Sequence, residues 1–179
     1  MSRIVITGTL SVGKTTLFCK LQDYIYTHDF IPELSRSIMN TLGKSVTKMS
    51  DIEKVAYRRL WFDQKLDRES RFEKFISDRC LFDILAFSKD LDTGMQNEFE
   101  AKFEDYISKF GKYDITFFIL PEIEIENDSM RPLSLKLRQD MHDRLYFYAQ
   151  KYSHKVVEIS GSIDERVNSV KMLLNGVNI

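Results

Sequence analysis

Gly8, Gly13, Lys14 and Thr15 stand at the spacing G-x-x-x-x-G-K-[ST], inside the stretch GTLSVGKTT that begins at residue 8. That spacing describes a loop whose backbone N–H groups converge on phosphate oxygens, here Ser11, Val12, Gly13, Lys14, Thr15 and Thr16, with Gly8 setting the turn. The helix that begins near Lys14 adds the positive end of its dipole. Lys14 is expected to reach the β- and γ-phosphates, and the Thr15 hydroxyl to ligate Mg²⁺. A side chain at position 8 or 13 would block the backbone's approach or the φ it needs. A held phosphate can be transferred, can work a switch or can drive a motor, and the loop alone does not choose among them.

The choice rests on residues expected at the carboxyl edge of the same sheet, where open α/β folds bind ligands. Asp78, in SDRCLFD, ends a strand and can hold Mg²⁺ through water or accept a proton from a substrate hydroxyl. Arg79 beside it can clamp a phosphate or the substrate, or simply form a strand-end ion pair. Glu33 and Arg36, in PELSR, follow the second strand and should face the same crevice. Asp83 lies in the first turn of a helix, whose dipole it complements. Arg131, Lys136 and Arg138 belong to a segment that could close as a lid, with Arg131, between an acidic turn and Pro132, the preferred arginine for developing charge. Glu122, Glu124, Glu126 and Asp128 alternate along that segment and are expected to face solvent.

The elements that position these residues follow from periodicity. Residues 3–7 form an apolar run bounded by glycine, as a buried strand does; residues 30–31, 74–77, 114–120 and 155–159 give further strands. Leu17, Leu21 and Ile25 recur at helical spacing after the loop. Ser50 to Glu53 is a capping box that opens a long helix to about residue 72, and Ser162 to Glu165 is another, followed by the stripe Ile163, Val167, Val170, Leu174 and Val177. Residues 81–87 are apolar nearly all round and predict a buried helix, and Leu133, Leu137, Met141 and Leu145 start another. Strands alternating with helices predict a three-layer α/β fold around a central, mostly parallel sheet of about five strands. The chain reads as one domain, residues 1–179, with a lid over about 121–138.

On a helical wheel, residues 51–72 place Ile52, Val55, Ala56, Phe62 and Leu66 on one side, expected to bury. Lys54, Arg58, Trp61, Lys65 and Arg68 fall opposite, a basic stripe with one aromatic. Such a stripe is either a solvated face or a track for a nucleic-acid backbone.

Composition narrows the classes. With 26 Lys and Arg against 27 Asp and Glu, no global charge argues for nucleic acid or membrane. Two cysteines, Cys19 and Cys80, make no disulfide framework and are expected as reduced core residues. No apolar run has the length of a membrane span, and no secretory signal precedes the first strand, so a cytoplasmic protein is expected.

The phosphate loop, then Pro32-Glu33-Leu34-Ser35-Arg36, then Ser77-Asp78-Arg79 with Asp83, resembles the small P-loop nucleoside and nucleotide kinases. Within them it is most similar to the ribosylnicotinamide kinase-like branch, sometimes filed with AAA ATPases. The stretch FILPEIEIENDSMR, residues 118–131, resembles that branch too, although Asn127-Asp128-Ser129 stands where relatives often carry an Asp-Gly turn. The resemblance runs from Arg3 to about Leu174. It implies a P-loop kinase fold and phosphoryl transfer from ATP to a hydroxyl of a nucleoside- or nucleotide-like molecule, with Glu33 or Asp78 positioning or activating the acceptor. No separate adenylyltransferase domain is expected. Kinases of hydroxymethylated pyrimidines in bacteriophage DNA are similarly small, and the basic stripe would then be the DNA track. A regulatory nucleotide switch is a third reading, against which stands the lack of N-K-x-D and D-x-x-G motifs.

Overall fold

Five strands carry the architecture: β1 (Ser2–Thr7), β2 (Asp29–Ile31), β3 (Lys74–Asp78), β4 (Tyr113–Ile119) and β5 (Ser153–Ile159). They form one wholly parallel sheet in the order β2-β3-β1-β4-β5. The computed structural model describes residues 2–121 and 135–176. The acidic turn, Arg131 and Pro132 of the expected lid, and also Leu133 and Val177, lie outside the described residues.

Alternation along the strands divides the core in two. Val5, Phe75 and Phe118 face one side, packing with α3 (Asp51–Arg71), α4 (Leu81–Phe87), α5 (Thr93–Phe110) and α6 (Leu135–Tyr152). Ile4, Ile6, Ile76, Ile115, Phe117 and Ile119 face the other, against α1 (Lys14–Gln22) and α7 (Ile163–Gly176). A parallel sheet covered on both faces needs apolar residues at successive positions, and β1 is buried along its whole length. The expected three-layer α/β fold is present, with one strand set fully parallel. Among the described residues no helix is long and apolar enough to cross a membrane.

Local signals set most boundaries. Both capping boxes form: the Ser50 hydroxyl accepts from the Glu53 amide while Glu53 accepts from the Ser50 amide, and Ser162 and Glu165 repeat the exchange. Two helices escaped the periodicity reading. α2 (Ser35–Leu42) is short, and α5 starts where the Asp92 carboxylate accepts from the Met95 amide. The buried residues of α5, Phe99, Phe103 and Tyr106, stand at helical spacing, so the signal was present in the chain. Cys19 is exposed on α1, contrary to the expectation of a core thiol, because the apolar stripe of that helix is Leu17, Phe18 and Leu21. Cys80 is buried as expected.

The largest departure is α3. Ile52, expected inside, is 83% exposed, Ala56 is also at the surface, and Val55 and Leu66 are only partly covered; Phe62 alone of that set is fully buried. Arg58, Trp61 and Lys65, expected on a solvated basic face, are buried. Arg68 is exposed and Lys54 half-buried. The helix packs against α2, α4 and α5, so more than one of its faces is covered. A wheel that ranks faces by hydropathy mistakes a cationic face covered by the fold for one covered by water. The stripe cannot serve as a nucleic-acid track, because Arg58, Trp61 and Lys65 point into the protein.

Candidate functional site

The sheet register builds the site. Ile6 of β1 pairs with Asp78 of β3, so the last residue of β3 lies level with the end of β1, from which the phosphate loop departs. Gly8 takes φ +142°, and a Cβ there would lie 2.6 Å from the Ile119 carbonyl oxygen. Glycine is needed at 8 by contact with β4, as well as by φ. Ser11 at φ 56° and Gly13 at φ 84° turn the loop through left-handed positions. Alternating conformations of this kind aim successive amides inward as an anion cradle. Gly13 caps α1 without a side chain and no acid occupies the first turn, so the first amides of the helix face the loop with no carboxylate competing.

Val12 is buried in the core and anchors the loop from beneath. Arg166 of α7 clasps it from behind, donating to the Val12 carbonyl at 2.6 Å and the Gly161 carbonyl at 2.7 Å. Nothing in the sequence marks Arg166, since its partner lies 154 positions away. Lys14 is buried, with its ammonium donating to the Thr9 carbonyl across the loop. Thr16 is exposed at the start of α1.

Two residues expected to share a metal are brought together. The Thr15 hydroxyl donates to Asp78 Oδ2 at 2.7 Å. Asp78 is 1% exposed, and its Oδ1 has no hydrogen-bond partner among the described residues. A buried carboxylate oxygen of this kind beside a hydroxyl suits a hard cation such as Mg²⁺, which is usually held by one or two carboxylates with phosphates and waters.

Arg79, at φ 62°, turns back under the loop: its amide donates to the Ile6 carbonyl at 2.9 Å and its guanidinium to Asp83 at 2.9 Å. Asp83 does more than complement a helix dipole, since it also accepts from the Thr7 hydroxyl at 2.7 Å and the Cys80 amide at 3.0 Å. Burial works against the charge of Arg79, but Asp83, Glu33 and Asp78 outweigh it and hold the guanidinium above its ordinary range. Glu33 accepts from the amides of Ser35 at 2.9 Å and Arg36 at 3.2 Å, so it caps α2. Glu33 is half-buried and Arg36 exposed, and neither lines the cavity described next.

Beside the loop lies a cavity of about 320 Å³, lined by Thr9, Tyr57, Arg58, Trp61, Arg79 and Arg138 among others. Trp61 lies 5.9 Å from both Tyr57 and Phe87, ring centre to ring centre, which forms an aromatic wall. Arg138 Nε lies 3.5 Å from the Thr9 hydroxyl. Arg131, the arginine expected for the lid, lies outside the described residues; of the expected lid cations within them it is Arg138 that reaches the loop.

Lys65 lies directly behind the site. Its ammonium donates to the Asp78 carbonyl at 3.1 Å, and Glu69, one turn on, accepts from the hydroxyls of Tyr113 at 2.6 Å and Tyr106 at 3.0 Å. Burial pushes Lys65 down and Glu69 up from their ordinary pKa values, while each one's charge opposes the other's shift. Lys65→Met takes the ammonium donor from the buried Asp78 carbonyl and a compensating charge from Glu69, so it is expected to cost about 1–3 kcal/mol. Adding Glu69→Gln should recover part of that cost. Urea unfolding of both single variants and the double measures it; strictly additive losses would show that the two charges are uncoupled.

A family model described as an AAA domain matches residues 3–166. No curated protein matches. Among solved structures, NadR protein in complex with NAD and AMP-PNP superposes with a TM-score of 0.74 at 18% identity, over 99% of this chain and 51% of that one. A deoxyadenosine kinase from M. mycoides gives 0.66 at 14% identity, over 97% and 99% of the two chains. Shikimate kinase from Aquifex aeolicus gives 0.59 at 19%, over 97% and 96%. The chain spans about half the length of the NadR chain. These likenesses show the fold, a P-loop kinase-like α/β fold of the kind the resemblance implied.

Proposed function

The chain belongs to this AAA domain family, and from that premise we propose that it is a phosphotransferase, moving the γ-phosphoryl group of ATP to a hydroxyl of a nucleoside- or nucleotide-like small molecule. One observation carries the reading: the 320 Å³ cavity with its aromatic wall meets the phosphate loop at Thr9 and Leu10 and is lined by Arg79, which follows Asp78 in the chain. Its size and largely apolar lining with a few polar groups suit a small organic ligand. A buried Trp61 and Arg58 favour a free molecule entering the protein over a base presented by duplex DNA.

In this reading the loop amides and Lys14 bind the β- and γ-phosphates and stabilise the charge that spreads over the transferring group. Thr15 and Asp78 would hold Mg²⁺, which supplies further neutralisation of that charge when bound. Asp78 is assigned to the metal because its Oδ2 already accepts the Thr15 hydroxyl. Glu33, which holds the amide of the cavity-lining Ser35, is assigned to the acceptor's proton. Arg79 and Arg138 flank the acceptor near the loop, and Arg131 and Arg36 are proposed to join them on closure.

Incubating the protein with labelled ATP, Mg²⁺ and a panel of nucleosides and nucleoside monophosphates tests this. Label is expected in a phosphorylated acceptor, with water attacking far more slowly. ATP hydrolysis at one rate whether or not any acceptor is present would remove the kinase reading and leave a nucleotide switch.

A further inference from the structure

Resting on the reading above, we infer that the acceptor is a planar ring compound with an anionic group remote from the hydroxyl that receives the phosphoryl group, and that Lys54, Arg58 and Arg144 bind that anion. Among the described residues lining the cavity, five cations face one carboxylate: Lys54, Arg58, Arg79, Arg138 and Arg144 against Asp90. They divide into two groups by position.

Arg79 follows Asp78 directly and is paired with Asp83, and Arg138 approaches Thr9, so these two belong to the transfer end. α3 measures the distance to the others. Its Lys65 is fixed at the Asp78 carbonyl. Arg58 stands seven residues back along the helix and Lys54 eleven, which is about 10 and 16 Å at the rise of an α-helix. α6 provides a second ruler, since Arg144 lies six residues, about 9 Å, beyond Arg138. Two helices therefore carry cations to the same far end of the cavity. The guanidinium of Arg58 lies 5.9 Å from the Trp61 ring centre and that of Arg79 4.9 Å from the Phe87 ring centre, so each group touches this aromatic wall, against which a planar ring can stack.

Charge at the far end is not cancelled. Arg58 donates to the Phe87 carbonyl at 3.0 Å and lies 3.9 Å from Asp90, whose side chain is 49% exposed. Lys54 pairs with Asp51, a carboxylate 97% exposed and therefore weakly held. Arg144 donates through Nε to the Asp140 backbone carbonyl. An anionic substituent entering here gains charge-assisted hydrogen bonds, whereas a cationic ring would meet like charge.

Trp61 is the only tryptophan and lines this cavity, so its fluorescence, read without ATP, follows binding of the probes there. Two probe pairs differ chiefly in one anionic group away from the 5′-hydroxyl: 5-carboxyuridine against 5-carbamoyluridine, and adenosine 3′-monophosphate against adenosine. In at least one pair the anionic member is expected to bind roughly tenfold tighter or more. The double variant Lys54→Gln/Arg144→Gln, at two half-buried positions, should remove most of that preference; Arg58 is left in place because its burial makes loss of folding the expected result. A preference confined to the first pair identifies a ring carboxylate, and one confined to the second a phosphate. Equal affinity within both pairs, no binding of either anionic member, or a preference that survives the double substitution overturns the inference. Transfer of label to both members of a pair alike would leave the kinase reading standing while this inference falls. Anion-selective binding with no transfer to any acceptor would do the reverse.

Discussion

Asp78→Asn is expected to lower kcat for phosphoryl transfer by on the order of a thousandfold or more while leaving the fold in place. The carboxylate is buried at the end of β3, accepts the Thr15 hydroxyl through Oδ2, and keeps Oδ1 without a partner among the described residues. Asparagine has the same shape and can still accept from Thr15, so packing against β1 is preserved. What it loses is the negative charge that a cation needs in order to sit beside the phosphates. The loss should fall on kcat, and raising Mg²⁺ or offering Mn²⁺ should recover part of it. Steady-state kinetics over a metal titration, beside thermal melts of both proteins, separates the effects. A variant with unchanged kcat at limiting Mg²⁺ would remove Asp78 from the reaction, and a large fall in melting temperature would reassign it to the core.

Lys14→Ala is expected to reduce transfer by a comparable factor, through a different term. The lysine ammonium would sit where charge develops on the transferring oxygens, and deleting one such donor typically costs about 3–4 kcal/mol of transition-state stabilisation. Although the loop lies at the molecular edge, Lys14 itself is buried and its ammonium bonds the Thr9 carbonyl. Alanine therefore also removes a loop-closing donor, a structural cost of about 1–3 kcal/mol. Lys14→Met retains the hydrocarbon stem and should restore much of the stability and none of the rate. Transfer by Lys14→Met at more than a tenth of the native rate would refute the assignment.

Several features were written in short, local pieces of the chain, because the forces that fix them act between near neighbours. The glycines of the loop, the reciprocal hydrogen bonds of the two capping boxes, the apolar run of β1 and the all-round apolarity of α4 each need only a few residues to be read. The level of Asp78 beside the loop was legible too, since a strand that stops at an acidic residue in a parallel sheet delivers it to the carboxyl edge. The rest depended on partners far along the chain. Arg58, Lys65 and Arg166 look like surface cations in sequence, and a charge stays at the surface unless something buried receives it. Here the Phe87 carbonyl receives Arg58, the Asp78 carbonyl and Glu69 receive Lys65, and the Val12 carbonyl receives Arg166. Each receiver is brought into place by a different element of the folded sheet. Sequence by itself determined the phosphate loop and the strand-and-helix order around it, through spacing and backbone geometry. Only the tertiary structure decided which face of α3 is inside, and with it the shape and charge of the cavity, because the cost of desolvating a cation is offset or ruinous according to what the rest of the fold holds against it.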